Sequence, residues 1–308
     1  MTPALLVQTT FLTLMAMIAF ATNAILCRWA LESGWIDPVS FTSLRLASGA
    51  FTLFVVMGWM SWRIRRLDRK KEPADRVVDN SKGSWKAAFI LFIYGITFSY
   101  GYVEISTGTG ALLLAGIVQL TMIAYAVRQG DKLHFTEWIG AALALLGLLY
   151  LAYPTLTTPS WWALVMVVIS AYTWALYSLN GQHSLSPLRD TAYNFYRTLP
   201  MVALASIISL LFIDHILLTP TGVTMAILSG GVTSALGYIL WYSALPRISA
   251  SLASASQLLV PLLAAFGAIW LIDEPITLRF VVAAILMIGG LGLVLIGRNQ
   301  HRKAALKT

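Results

Sequence analysis

The fold this sequence predicts is an all-α integral membrane protein of ten spanning helices, and three observations predict it. Hydrophobic residues make up 58% of the 308 and charged residues 11%, where a soluble domain carries about 25% charged residues. The mean hydropathy is +0.76. Ten apolar stretches follow one another with little chain between them, each near the length of about 20 residues that carries a helix across a bilayer.

In hydrocarbon every backbone N–H and C=O must be paired within its own element, which leaves helices or a closed barrel; runs without two-residue alternation select helices. The spans are read at 8–30, 38–59, 84–102, 107–126, 135–151, 160–179, 191–212, 220–242, 248–270 and 276–296. The first superficially resembles a signal peptide, but it has no basic leading region and its apolar run is long, so it reads as a retained span. It carries Asn23 and the single cysteine, Cys27, which can form no internal disulfide. The second carries Arg45, and the third carries Tyr94, Phe98 and Tyr102 and ends near Glu104. The fourth opens on TGTGALLLAG, whose glycines lack the Gly-Lys-Ser/Thr of a phosphate loop and instead permit close helix contact; it also holds Gln119. The fifth follows a short connection containing His134. The sixth begins beside Trp161 and Trp162 and carries Tyr172, Trp174 and Tyr177; the seventh carries Arg197. Tyr238, Trp241 and Tyr242 lie in the eighth, Gln257 and Pro261 in the ninth, and Gly289, Gly290 and Gly292 in the tenth.

The net charge of +8 does not point to nucleic acid, because the basic residues sit in connections and at the C-terminus without interleaved aromatics. It points to orientation. With a cytoplasmic N-terminus, seventeen of the 21 Lys and Arg lie on the cytoplasmic side: nine between Arg63 and Lys86, then Arg128, Lys132, Arg189, Arg247, Arg298, Arg302, Lys303 and Lys307. Only Arg28 and Arg279 border the other face, where Glu32, Asp37, Glu104, Asp214, Asp273 and Glu274 collect. The positive-inside rule therefore predicts a multi-pass plasma-membrane protein, of the bacterial inner-membrane kind, with both termini cytoplasmic. The basic loop 61–83 either anchors this topology or also touches anionic headgroups, which makes membrane lipid a partner.

Overlaying the halves exposes a weak repeat. GALLLAGIVQL at 110–120 lies over ASLASASQLLV at 250–260, with Phe98 over Tyr238 and Tyr102 over Tyr242. Arg45 and Arg197 mark the same place in the second span of each half. Five spans per half is odd, so the second half enters the membrane from the opposite side. The expected organisation is a first five-helix repeat at 8–152, a second, inverted in topology, at 160–297, and a basic tail at 298–308.

The stretch from Gly237 to Gly297, GYILWYSALPRISASLASASQLLVPLLAAFGAIWLIDEPITLRFVVAAILMIGGLGLVLIG, resembles the EamA branch of the drug/metabolite transporter superfamily. Pro261, Glu274 and Pro275 match its pattern of a proline in the ninth helix and Glu-Pro before the tenth. The first half departs from it, with Thr121 in place of the proline and His134 in place of the glutamate. The resemblance implies a ten-helix exporter of small molecules with no cofactor, and a central cavity built from the first, third, fourth, sixth, eighth and ninth helices.

Polar or aromatic candidates on those helices are Asn23, Tyr94, Phe98, Tyr102, Gln119, Tyr172, Trp174, Tyr177, Tyr238, Trp241, Tyr242 and Gln257. An amide in hydrocarbon must face a partner or water, so Asn23, Gln119 and Gln257 either line a cavity or tie helices together. Arg45 and Arg197 either lock helices or meet an anionic part of the substrate; Glu104 or Glu32 is an expected partner for the first and Asp190 for the second. Glu104 either binds an ammonium or is an exposed loop acid. The four histidines stand singly, which argues against a metal site.

Two similar halves inverted in the membrane can exchange conformations of nearly equal energy, the architecture of an alternating-access carrier. The expected function is a secondary transporter, not an enzyme, exporting small organic metabolites, with an amino acid or amine-like solute favoured by the availability of Arg45 and Glu104. The competing readings are a membrane-embedded enzyme acting on lipid, which needs a catalytic cluster the sequence does not display, and a membrane protein that binds ligand without moving it. A monomer and a homodimer are both compatible with the sequence.

Overall fold

The computed structural model describes residues 3–68, 81–105, 107–130, 133–153, 156, 160–212, 216–272 and 277–305. Ten helices long and apolar enough to cross a membrane account for the described chain. The first seven spans are α1 (Pro3–Glu32), α2 (Pro38–Asp68), α3 (Trp85–Glu104), α4 (Thr107–Arg128), α5 (Phe135–Ala152), α6 (Trp161–Gly181) and α7 (Pro187–Phe212). The eighth is interrupted: α8 (Pro220–Leu228) passes through a π-helical turn (Ser229–Ser234) into α9 (Ala235–Ala244). The ninth is broken into α10 (Ala250–Gln257) and α11 (Leu259–Ile272), and α12 (Leu278–Ala305) is the tenth.

Helix starts are set by hydroxyls that accept from orphan backbone donors: Ser84 from Ala87, Ser160 from Ala163, Thr219 from Gly222 and Ser249 from Leu252. His134 and Glu137 form a reciprocal capping box on α5. The helix α2 continues past the apolar run that ends near residue 59. Its extension is stabilised by guanidinium groups one turn beyond tryptophans, Arg63 5.6 Å from the Trp59 ring and Arg66 5.4 Å from that of Trp62. The break in the ninth span follows from Pro261, which has no N–H to give the carbonyl of Gln257. Most of the basic loop and the Glu274-Pro275 pair lie outside the described residues.

The two halves pack as mirror partners in sequence order. Contacts of α3 with α6 are matched by those of α9 with α1, and contacts of α4 with α6 by those of α11 with α1. The pairs α2 with α7 and α5 with α12 map onto themselves. That is the pattern an exchange of five-helix repeats requires, and with five spans in each the second crosses in the opposite sense to the first. Large apolar residues such as Phe51, Phe54, Leu210, Leu211, Ile285 and Ile288 stay exposed on the outside, as a lipid-facing surface demands. Trp59, Trp85, Trp161 and Trp162 are exposed near span ends, consistent with an interfacial belt.

Both ends of the bundle tie one repeat to the other. At the end where α2 begins, Asp37 N–H donates to the Leu217 carbonyl at 3.0 Å and Thr219 N–H to that of Trp35 at 2.9 Å, around an isolated Ile36 to Leu218 bridge. Ser160 also donates there to Glu104. At the other end α7 grips the segment before α3: Asp190 accepts from Ser81 and from Gly83 N–H, Asn194 from Ser84 N–H, and Arg197 donates to the Lys82 carbonyl. Ser251 donates to Glu137 at 2.8 Å at this same end.

Close backbone contact is built from glycine at two places. A methyl on Gly140 or on Gly290 would stand 2.5 Å from the other residue's carbonyl oxygen, so α5 and α12 touch along their backbones. Gly230, in the π turn, leaves room for α2; a Cβ there would lie 1.9 Å from the Arg45 carbonyl oxygen. Gly230→Ala is expected to lower the melting temperature in detergent, by an overpacking cost of about 1–3 kcal/mol or more. Gly289→Ala, whose Cβ meets nothing within 4 Å, leaves the melting temperature unchanged or slightly raised.

Candidate functional site

Seven residues from the start of α2, Arg45 sits about 10 Å along the helix, and it is 1% exposed. A charge at the bilayer centre costs on the order of 2.5–3.5 kcal/mol on insertion scales, so the surroundings must solvate it. Its Nε donates to Ser234 Oγ at 3.0 Å and its Nη2 to Tyr238 Oη at 3.3 Å. The guanidinium lies 5.5 Å from the Tyr94 ring centre and 5.8 Å from that of Phe98. Its Nη1 is buried without a hydrogen-bond partner.

The π turn supplies the hydroxyls. Ser229 donates to Asn23 Oδ1 at 2.6 Å, Ser234 to the same oxygen at 3.3 Å, and Thr233 reaches it at 3.5 Å. A charge-assisted chain therefore runs from Arg45 through Ser234 to Asn23, joining α2, the eighth span and α1. Irregular backbone of this kind recurs at functional sites. Sequence reasoning missed Ser229, Thr233 and Ser234, although SGGVTS is a polar, glycine-paired run inside an apolar span and was a readable signal.

From this junction aromatic rings continue in both directions. Tyr102 stacks on Phe98 with centroids 4.3 Å apart, Phe98 meets Tyr94 at 5.5 Å, Tyr94 meets Trp174 at 4.9 Å, and Tyr177 meets Tyr242 at 4.9 Å. Trp174 joins the two parts, 6.1 Å from Tyr177 and 5.2 Å from Tyr238. Phe20, also missed from sequence, stands edge-on to Trp174, Tyr238 and Trp241. Polar edges are satisfied across helices: Trp174 Nε1 donates to Gln257, Trp241 Nε1 to Ser178 at 3.1 Å and Tyr242 Oη to the Tyr177 carbonyl at 3.0 Å. Both repeats contribute throughout.

The structure thus gathers Asn23, Arg45, Tyr94, Phe98, Tyr102, Trp174, Tyr177, Tyr238, Trp241, Tyr242 and Gln257, and places the four other candidates apart from them, Gln119, Arg197 and Glu104 in the helix-tying, helix-locking and loop-acid alternatives. Tyr172 is 50% exposed on the outer surface. Arg197 is not the buried counterpart of Arg45: it is half-buried, lies over Trp85 and Tyr193 where α3 begins and holds the Lys82 carbonyl, while Asp190 grips the same segment instead of pairing with it. Glu104 is exposed at the opposite end, bonded to Ser160, and Glu32 pairs with Arg28 at 2.9 Å, so neither serves Arg45. Gln119 ties α4 to the Ala141 carbonyl of α5 at 3.2 Å, away from the rings. Glu137, overlooked in the sequence because it opens a span, is 2% exposed.

Beyond Tyr242, a cavity of about 380 Å³ opens at the loop end of the bundle. Tyr125 and Gln129 line it from the first repeat; Gln182, His183, Pro246 and Ser249 line it from the second.

Ten spans in two matched repeats, with a polar and aromatic junction between them, define a multi-pass membrane transporter. The chain belongs to the EamA-like transporter family, whose model matches residues 8–153 and again 161–296. It is 40% identical to an uncharacterised protein of Pseudomonas aeruginosa, over 94% of this chain and 96% of that one. It is 26% identical to a Streptantibioticus cattleyicolor protein named "probable terminal-alkyne amino-acid exporter", over 67% of this chain and 69% of that one. A solved crystal structure shares the fold at a TM-score of 0.72 with 17% identity, covering 94% of this chain and 98% of the other. Transporters, not enzymes, make up this family.

Asn23→Ala removes the acceptor shared by the π-turn hydroxyls. The expected loss is about 1–3 kcal/mol of stability, read as a lower melting temperature in detergent, whereas Tyr172→Ala on the outer surface leaves it within about 0.5 kcal/mol.

Proposed function

We propose that this chain is a secondary carrier exporting a small organic metabolite, an amino acid or an amine-like compound, across the plasma membrane by alternating access. The observation that carries the reading is the position of the ring-lined junction. Its residues come from both repeats, so any relative motion of the repeats opens or closes it. The cavity of about 380 Å³ between α4 and the ends of α6 and the eighth span supplies an approach from the loop end. The name of the Streptantibioticus cattleyicolor relative supports an amino-acid-like cargo.

Orientation follows from charge. With the basic loop and tail in the cytoplasm, the cavity faces the cytoplasm and the Ile36 to Leu218 bridge closes the outer side. Both sets of ties are made in this structure, so export consists of release of the inner grip of α7 on the 81–84 segment as cargo enters by the cavity, its re-formation, and separation of the outer ties. Such interconversion needs the two states to differ by only a few kcal/mol, which inverted repeats provide by near-equivalence.

Proteoliposomes holding the purified protein are expected to move at least one member of a panel of labelled amino acids and amines faster than empty vesicles. Cys27, the single cysteine and fully buried, serves as a native reporter of opening. A membrane-impermeant maleimide should label it from both faces during turnover, at rates that change in opposite directions with that solute. Labelling confined to one face under all conditions would remove alternating access, and no flux of any panel solute would remove the cargo.

A further inference from the structure

We propose that Arg45 is the seat of a carboxylate, so that the cargo of the carrier proposed above bears one. The proposal rests on that carrier reading only for the word cargo; the anion site stands on its own geometry.

A guanidinium has five N–H donors arranged as a planar fork. In this bundle Nε is used by Ser234 and Nη2 donates to Tyr238, while Nη1 has no partner at hydrogen-bonding geometry although Tyr94 interacts with the group. Every neighbour is neutral. Ser234, Tyr238, Asn23, Tyr94 and Phe98 supply hydroxyls, an amide and rings, and Cys27 with Ser99 completes the α1 and α3 side.

Asp68 ends α2 far along the helix from Arg45, and the other acids of the described residues are committed elsewhere. Glu32 binds Arg28, Asp37 caps α2 through Ser40 N–H, Glu104 accepts from Ser160, Glu137 from Ser251 and His134 N–H, and Asp190 from Ser81, Gly83 and Ser184. A single positive charge, buried without an internal counterion and with Nη1 unpaired, is matched by a planar singly charged anion offering two oxygens. A dianionic phosphate would leave net charge in the apolar centre. The ligand's apolar remainder then lies against Tyr94, Phe98 and Tyr238.

The test is a thermal-shift titration of the full chain in detergent, with matched pairs at constant ionic strength: acetate against acetamide, and 3-phenylpropanoate against 3-phenylpropanamide, with inorganic phosphate as a third arm. The acids are expected to raise the melting temperature and the amides to leave it unchanged, a comparison that needs no variant. Arg45→Gln should abolish the discrimination. Arg45→Lys, which keeps a buried cation but loses the fork, should weaken binding of the acids by about thirtyfold.

Amides that stabilise as well as acids, acids that give no shift, phosphate acting alone, or an Arg45→Gln protein that still prefers acids would each overturn the proposal. The two readings fail separately. Amine flux in proteoliposomes that is indifferent to Arg45→Lys keeps the carrier and removes the anion seat; acid-selective stabilisation without flux of any solute keeps the seat and removes the carrier.

Discussion

A cation in the middle of an apolar bundle has to be solvated by the bundle, and this requirement organises the centre of the molecule. Arg45 cannot reach water, and no described acid reaches it, so hydroxyls and ring faces are brought to it from four other directions: the π turn and α9, α1 through Asn23, and α3. Each of those groups in turn needs its own partner, because an unpaired polar group in hydrocarbon is costly. Ser234 finds Asn23, Asn23 also receives Ser229, and Thr42 pairs with Ser99 at 2.8 Å between α2 and α3. Satisfying one buried charge thereby fixes the relative positions of four spans.

Irregular backbone appears where this network requires it. A regular helix would not direct Ser229, Thr233 and Ser234 to one amide oxygen; the π turn does, and Gly230 lets it press against the Arg45 carbonyl. The break after Gln257 leaves that amide facing Trp174 and Met122 between the repeats. Irregular segments in a membrane are tolerated only when covered by protein or lining a cavity, and both lie inside the bundle. The lipid-facing helices, by contrast, are regular, and α5 and α12 pack backbone to backbone through Gly140 and Gly290.

The ties between repeats have a different character from the centre. They are short hydrogen-bonded contacts between chain ends, such as Asp190 with the 81–84 segment and Thr219 with Trp35, and are exchangeable for water at a membrane surface. The centre is held by packed rings and charge-assisted bonds that have no water to turn to.

How much was legible in the sequence divides along the same physical line. Span number and helical class follow from the length and hydropathy of each segment, because lipid makes every spanning segment satisfy its own backbone independently of its neighbours, and the two-repeat plan follows from the overlay of the halves. The ring residues were legible too, since Tyr94, Phe98, Trp174, Tyr238 and Trp241 stand out in apolar spans. Direction around a helix was not: one helical face separates buried Trp174 from exposed Tyr172, and apolar character on all sides hides which face is inward. The likeness of Arg45 and Arg197 in aligned sequence also misled, because burial is set by the neighbouring helices, which leave one enclosed and the other at a surface. An all-helical, ten-span chain is written in local runs of apolar residues, because hydrophobic length is a local property; which charge lies enclosed at the centre, and what surrounds it, emerges only when the helices pack, because the groups that solvate Arg45 come from residues up to 193 positions away in the chain.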